Sequence, residues 1–258
     1  MSPDAAPATL KDRLHRGEAL LGSWLFLGSA DAADLLGHCG FDALILDHEH
    51  SPGGLDTTLA QLRAIRAAGS SAALARAPAA DTALMARLLD IGIDGILMAN
   101  VRSAEEARRA ADACRYPPQG RRGLHYTVSR AARWGLDADA HVARMQGQGP
   151  LLIAMIESVE GAAALEEIGA VDGIDALFVG PLDLTASLGE AGAYAGAPYR
   201  GLLADIERRA AAAGLVLGTA TIPGESAAGC FARGYRFVTN ASDVGLLRQA
   251  ALTAAADR

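Results

Sequence analysis

A chain of 258 residues, 51% of them hydrophobic, suffices for one sizeable core, and its formal charge of −7, spread along the sequence, lacks the basic stripe of a nucleic-acid binder. No apolar run reaches the roughly 18 residues of a membrane helix, and the opening Met-Ser-Pro-Asp-Ala-Ala-Pro has neither the basic nor the apolar region of a signal peptide. Cys39, Cys114 and Cys230 are odd in number and far apart, which excludes a zinc ribbon or redox pair and points to reduced thiols in a cytoplasmic protein.

Residues 1–7 read as a flexible tail. Leu10 and Leu14 mark a short amphipathic helix broken by Gly17. Short apolar runs then alternate with longer amphipathic or Ala-rich segments, the pattern of repeated βα units. Strands are expected at 20–27, 43–47, 72–76, 95–99, 151–157, 176–180, 215–219 and 236–240. Helices are expected near 30–38, 55–68, 81–90, 103–114, 158–169, 200–213, 224–233 and 242–254. Ser103-x-x-Glu106 reads as a capping box, and Asp81 and Ser242 as further helix starts. Eight near-continuously apolar strands with intervening helices predict an α/β fold, a (β/α)8 TIM barrel, as a single domain over residues 1–258. A doubly wound open sheet is the weaker alternative, because no Gly-x-Gly-x-x-Gly follows the first strand. Residues 115–149 form a long insertion, expected to act as a lid or partner contact.

The only lysine, Lys11, precedes the first strand. Imine chemistry needs a lysine inside the site, so a Schiff-base aldolase or pyridoxal-phosphate enzyme is not expected. No Gly-Lys pair exists, which excludes a Walker P-loop.

In a parallel barrel the chemistry sits at the carboxyl ends of the strands. Trp24 stands on the first strand and Asp47-His48-Glu49-His50 at the end of the second. Arg76 ends the third, Asn100 follows the fourth and Glu157 ends the fifth. The sixth runs into Gly180-Pro181-Leu182-Asp183, the seventh into Thr219-Ala220-Thr221, and the eighth ends at Asn240. Four ionisable residues in a row after an apolar strand do not belong to a dry core.

Several carboxylates converging beside one arginine repel each other unless a cation lies between them. Oxygen ligation with open positions suits Mg²⁺ or Mn²⁺, with Co²⁺ as a further fit. Glu157 and Asp183, on adjacent strands, are the expected ligands; each also reads as a carboxylate stabilising a helix start. Asp47 and His50 suggest an acid–base dyad in which the carboxylate holds one imidazole nitrogen. A zinc pair from His48 and His50, or a plain turn, are the rival readings. Arg76 needs an anionic partner, either a structural carboxylate or a bound carboxylate or enolate. The N–H groups of Leu182 and Asp183, free at the helix start Gly180-Pro181-Leu182-Asp183, would seat a substrate carboxylate. Trp24 is either core or site wall. His15, His38 and His141 fall on expected helices, whereas His125 lies in the insertion and would approach a site from there or from a neighbouring subunit.

Phe41-Asp42, Asp47-x-Glu49-His50, Arg76, Leu89-Asp90-x-Gly92, Ala104-Glu105-Glu106-Ala107-Arg108, Arg115-Tyr116-Pro117-Pro118-x-Gly120-x-Arg122-Gly123, Ile156-Glu157 and Gly180-Pro181-x-Asp183-Leu184 occur in this order between about residues 22 and 247. The combination resembles the HpcH/HpaI class II pyruvate aldolases, which include 4-hydroxy-2-oxoheptanedioate and 2-dehydro-3-deoxyglucarate aldolases. The resemblance implies a metal-dependent barrel that makes or breaks a carbon–carbon bond between a pyruvate enolate and an aldehyde. It implies that Glu157 and Asp183 hold the metal, that Arg76 stabilises the enolate oxygen, and that His50, oriented by Asp47, handles protons. Trp24 then lines the site and Glu49 stands beside the metal's water. A homo-oligomer, trimer or hexamer, is also implied, with the last helix exchanged between subunits. His48, Ala99-Asn100 and the loop Gly218-Thr-Ala-Thr-Ile-Pro223 depart from the family's usual pattern and leave the acceptor aldehyde open. A citryl- or malyl-CoA-type lyase would want a basic nucleotide-binding surface that is not evident. A barrel that only binds a carboxylate would not need the full set of residues.

Overall fold

The computed structural model describes residues 8–69 and 71–256, so the expected tail at 1–7 lies outside the described residues. Eight apolar segments form parallel strands: β1 Leu20–Leu25, β2 Ala43–Asp47, β3 Ala72–Pro78, β4 Gly95–Ala99, β5 Leu151–Ile156, β6 Ala176–Val179, β7 Leu217–Ala220 and β8 Phe237–Ser242. They pair in chain order and close from β8 back to β1, which is the (β/α)8 barrel rather than an open sheet.

Strand side chains alternate between two faces. One set, including Leu20, Trp24, Ile45, Leu74, Leu97, Ile153, Met155, Phe178 and Phe237, fills the barrel interior. The other, including Leu25, Leu44, Leu46, Ala75, Ile96, Leu152, Ile156 and Val179, packs under the helices. Both faces are dry, so the runs are apolar throughout. The same parity carries Asp47, Arg76 and Glu157 to the inner side at the carboxyl ends of their strands. Across the β2–β3 ladder, Asp47 stands directly opposite Arg76.

Some boundaries move, for local reasons. β1 stops at Leu25 because the Asp243 carboxylate accepts the N–H groups of Phe26 and Leu27, each at 2.9 Å, where a strand neighbour would have done so. β7 begins two residues late, since the Leu215 N–H donates to the Ala210 carbonyl at the end of the preceding helix. The expected helix at 158–169 is two short ones, Val159–Ala163 and Leu165–Gly169. The helix start expected at Gly180–Asp183 opens a short helix, Pro181–Ser187, with proline in its first turn, where no N–H is needed.

The insertion does not cover the carboxyl end of its own barrel. It links the end of a helix, Ala104–Cys114, to the start of β5, and so lies at the amino-terminal face of the barrel. It is folded there by burial of Tyr116 and His141, whose Oη and Nε2 atoms lie 3.1 Å apart. Arg122 stacks over the Tyr116 ring at 4.6 Å and pairs with Asp90 at 2.5 Å. His125 is exposed in this segment. No helix among the described residues is long and apolar enough to cross a membrane.

Candidate active site

The mouth is built around a buried charge pair. The Arg76 Nε donates to Asp47 Oδ1 at 2.5 Å, and its Nη1 lies 3.3 Å from Glu49 Oε2. Arg76 is 6% exposed and Asp47 4%. A guanidinium this buried is tolerated because it is paired and stacked. Its Cζ sits 4.8 Å from the centre of the Trp24 ring and 5.9 Å from that of Phe26. Trp24 is held in turn by its Nε1–H, which donates to Thr239 Oγ1 at 2.9 Å, and by stacking on Phe26.

The Asp47–imidazole bond expected from the sequence is not formed. Asp47 Oδ2 accepts the main-chain N–H of His50 at 2.7 Å, and Oδ1 that of Glu49 at 3.3 Å. An aspartate at the start of a turn commonly captures backbone donors two or three residues on, and here that local option wins. The His50 ring is 61% exposed, with its Nε2 3.9 Å from Glu49. Asp47 thus fixes the loop that carries His50 rather than the ring.

His48 is turned to the helix Leu55–Ala68, where its Nε2 lies 2.7 Å from Thr58 Oγ1. Burial lowers its pKa, against the opposing charge of Asp47. It is a packing residue, and the zinc pair with His50 is not formed.

Glu157 follows β5 and is 6% exposed. Its Oε1 accepts the Asn100 N–H at 2.6 Å. Asn100 aims that donor by adopting a left-handed conformation, φ 54°, which asparagine tolerates better than most residues. On the next strand a Cβ at Gly180 would stand 2.5 Å from Glu157 Oε2, so only glycine leaves the carboxylate its place. Beyond it, Pro181 starts the short helix whose first turn carries Leu182 and Asp183, both exposed. Their N–H groups have no acceptor among the described residues, as expected for a helix start. Burial pushes Glu157 up to about 7. Asp183 and Glu49 add to that, while the Asn100 N–H and Arg76 oppose it.

Residues 47, 49, 50, 76, 157 and 183 therefore meet at one end of the barrel, with Trp24 as a wall. Sequence reasoning missed three members. Asn100, noted at the end of the fourth strand and as a departure from the family's pattern, had no expected role in the site, although an asparagine just past a strand is a signal for a left-handed turn. Thr239 shares the inward parity of β8. Phe26 had no signal, because the strand was expected to run past it.

Residues 20–250 match the sequence model of the HpcH/HpaI aldolase/citrate lyase family. The chain belongs to the HpcH/HpaI aldolase/citrate lyase family. A hydroxypyruvate/pyruvate aldolase of Deinococcus radiodurans is 38% identical over 99% of this chain and 91% of its own. A 4-hydroxy-2-oxovalerate aldolase of Rhodococcus jostii is 37% identical over 93% of this chain and 91% of its own. The crystal structure of an HpcH/HpaI family protein from Burkholderia cenocepacia has a TM-score of 0.89 at 36% identity, covering 96% of this chain and 98% of that one. Among the described residues of this HpcH/HpaI member, no three His, Cys, Asp or Glu side chains gather as a closed metal cage. What the mouth offers is a carboxylate pair.

Proposed function

We propose that this HpcH/HpaI family member is a divalent-metal-dependent pyruvate aldolase. The observation that carries the reading is the Glu157–Asp183 pair beside Arg76. Glu157, pushed up to about 7 first by burial and then by Asp183, has no ion-pair partner among the described residues, since Arg76 is already taken by Asp47. That donor set fits a hard cation that keeps open positions for substrate and water. Bound by Glu157 and Asp183, Mg²⁺ or Mn²⁺ (or Co²⁺) would supply positive charge beside the oxygens of a 2-oxo acid as negative charge grows there.

The protein's own groups account for the rest. The free N–H groups of Leu182 and Asp183 take the substrate carboxylate. Arg76, locked by Asp47 and Trp24, keeps its remaining N–H donors for the enolate oxygen. In the cleavage direction the C4 hydroxyl loses a proton, the C3–C4 bond breaks, and its electron pair becomes the enolate. The exposed His50 imidazole, on the loop that Asp47 fixes, moves the proton from that hydroxyl and returns one to C3. Glu49 lies between His50 and Arg76 and orders both.

Relatives named for hydroxypyruvate and pyruvate support both as donors. A 410 Å³ cavity beside Trp24, with Thr221, Asn240 and Gln249 on its wall, favours a hydroxylated acceptor, a 4-hydroxy-2-oxo acid or 2-keto-3-deoxy sugar acid in the cleavage direction. The acidic mouth does not favour the CoA-lyase reading. A homo-oligomer, trimer or hexamer, is supported by the helix Asp243–Ala255, which leaves Leu246, Leu247 and Leu252 exposed.

The test is product formation from pyruvate or hydroxypyruvate with glycolaldehyde in Mg²⁺ or Mn²⁺. Product should vanish in EDTA and return with metal. Product that persists in EDTA and is trapped by borohydride would mean imine chemistry, although Lys11 is engaged by Asp175 and the Pro150 carbonyl at the opposite face.

A further inference from the structure

The amino-terminal end of the barrel holds a second cavity, of about 580 Å³. Barrel chemistry belongs to the opposite end, so this cavity is separate from the site above. Its wall joins the barrel floor at Asp42 and Asp94, the first helix, and the insertion at Arg130 and Arg144.

Three of its cations are matched. Lys11 pairs with Asp175 at 3.0 Å, Arg13 with Asp42 at 2.8 Å and Arg66 with Asp94 at 2.6 Å. Two are not. Among the described residues the Arg130 Nη1 donates to the Ile91 carbonyl at 2.9 Å, and the Arg144 Nη2 to His141 Nδ1 at 3.3 Å. Neither meets a carboxylate among the described residues. Arginine cannot accept a hydrogen bond, so His141 Nδ1 must be the acceptor and the buried ring is neutral; it offers no counter-charge. Arg130 is half-buried, and its burial together with the charges of Arg66 and Arg63 works against its own charge. A crowded, partly desolvated guanidinium group beside a cavity is stabilised by an anion inside it.

We propose that this cavity binds a small, multiply charged oxyanion of the phosphate class, held by Arg130, Arg144 and Arg66. Inorganic phosphate and the phosphate ester of a small metabolite share that chemistry, and the volume admits either. Because Arg130 and Arg144 belong to the insertion and Arg66 to the helix Leu55–Ala68, the anion ties the insertion to the barrel floor.

The experiment is calorimetric titration of the Mg²⁺-loaded protein with inorganic phosphate and, separately, with glycerol phosphate, at ionic strength matched by chloride. Saturable binding is expected, weakened about tenfold or more in Arg130→Met/Arg144→Ala, since a charge-assisted contact is lost at each position. Arg144 is exposed, so Arg144→Ala alone will fold and should weaken binding several-fold if the double variant does not fold. Tighter binding of glycerol phosphate assigns the site to an ester, and tighter binding of phosphate to the free ion. Glu157→Gln should bind phosphate as the wild type does. The proposal falls if no saturable binding occurs, if the arginine variants bind unchanged, or if Glu157→Gln abolishes binding, which would place the anion at the catalytic mouth.

Discussion

Asp47 divides its carboxylate among three donors, the Arg76 guanidinium and the N–H groups of Glu49 and His50. Asp47→Asn keeps the shape and removes the charge, leaving Arg76 buried with a weaker partner and free to shift. Initial rates should show kcat falling about 100-fold, the usual scale for loss of a preorganised electrostatic contact. Unchanged kcat would deny Asp47 its positioning role. The two histidines of the same loop should separate cleanly. His50→Ala should lower kcat by about 10²-fold or more. His48→Ala should spare kcat and cost about 1 kcal/mol of stability in a melting experiment, the worth of its bond to Thr58. That an ionisable run ending a strand marks the mouth was legible in the sequence. The choice of His50 over His48 came from the residues and the resemblance, but that Asp47 would hold the His50 main chain and not its ring was not legible, because it depends on an Asx turn competing for the carboxylate.

At the scale of elements, the exit of β6 sets the carboxylate pair. Gly180 has an ordinary φ, so its role is space rather than flexibility. In Gly180→Ala the new methyl would press on both the carboxylate and the Cβ of Glu157, so it should displace that whole side chain and weaken Mn²⁺ binding by at least about tenfold in a metal titration. Wild-type affinity in that variant would mean that Glu157 is not a ligand. The ends of elements were the least legible part of the chain. β1 is cut short by Asp243, a residue more than two hundred positions away, and no local pattern announces that. The insertion was visible as a break in the βα rhythm, yet the same rhythm places any helix-to-strand link at the amino-terminal face. Of the two expected roles, lid or partner contact, that face does not suit a lid over the mouth.

For the molecule as a whole, the barrel itself was the most legible feature, because strands buried on both faces must be apolar along their whole length and eight of them alternate with helices. The cost of the mouth is paid in pH dependence. Glu157 has a folded pKa of about 7 against an ordinary 4.5. Between those values the folded metal-free protein binds more protons than the unfolded chain, so its stability falls as pH rises, by roughly 3 kcal/mol in total. With Glu157 as the proposed ligand, a proton and the metal would compete for the same carboxylate. Mn²⁺ affinity should therefore drop by up to about tenfold per pH unit below 7 and level off above it. A flat profile from pH 5.5 to 8.5 would place the metal elsewhere.

The central claim is that Glu157, Asp183 and Arg76 together stabilise the enolate of a 2-oxo acid. Exchange of the pyruvate methyl protons with deuterated water, followed by proton NMR without any aldehyde, reads that step alone. Exchange is expected with Mg²⁺ or Mn²⁺, abolished by EDTA and by Glu157→Gln, and slowed strongly in Arg76→Lys. Exchange that continues undiminished in EDTA or in Glu157→Gln would contradict the account.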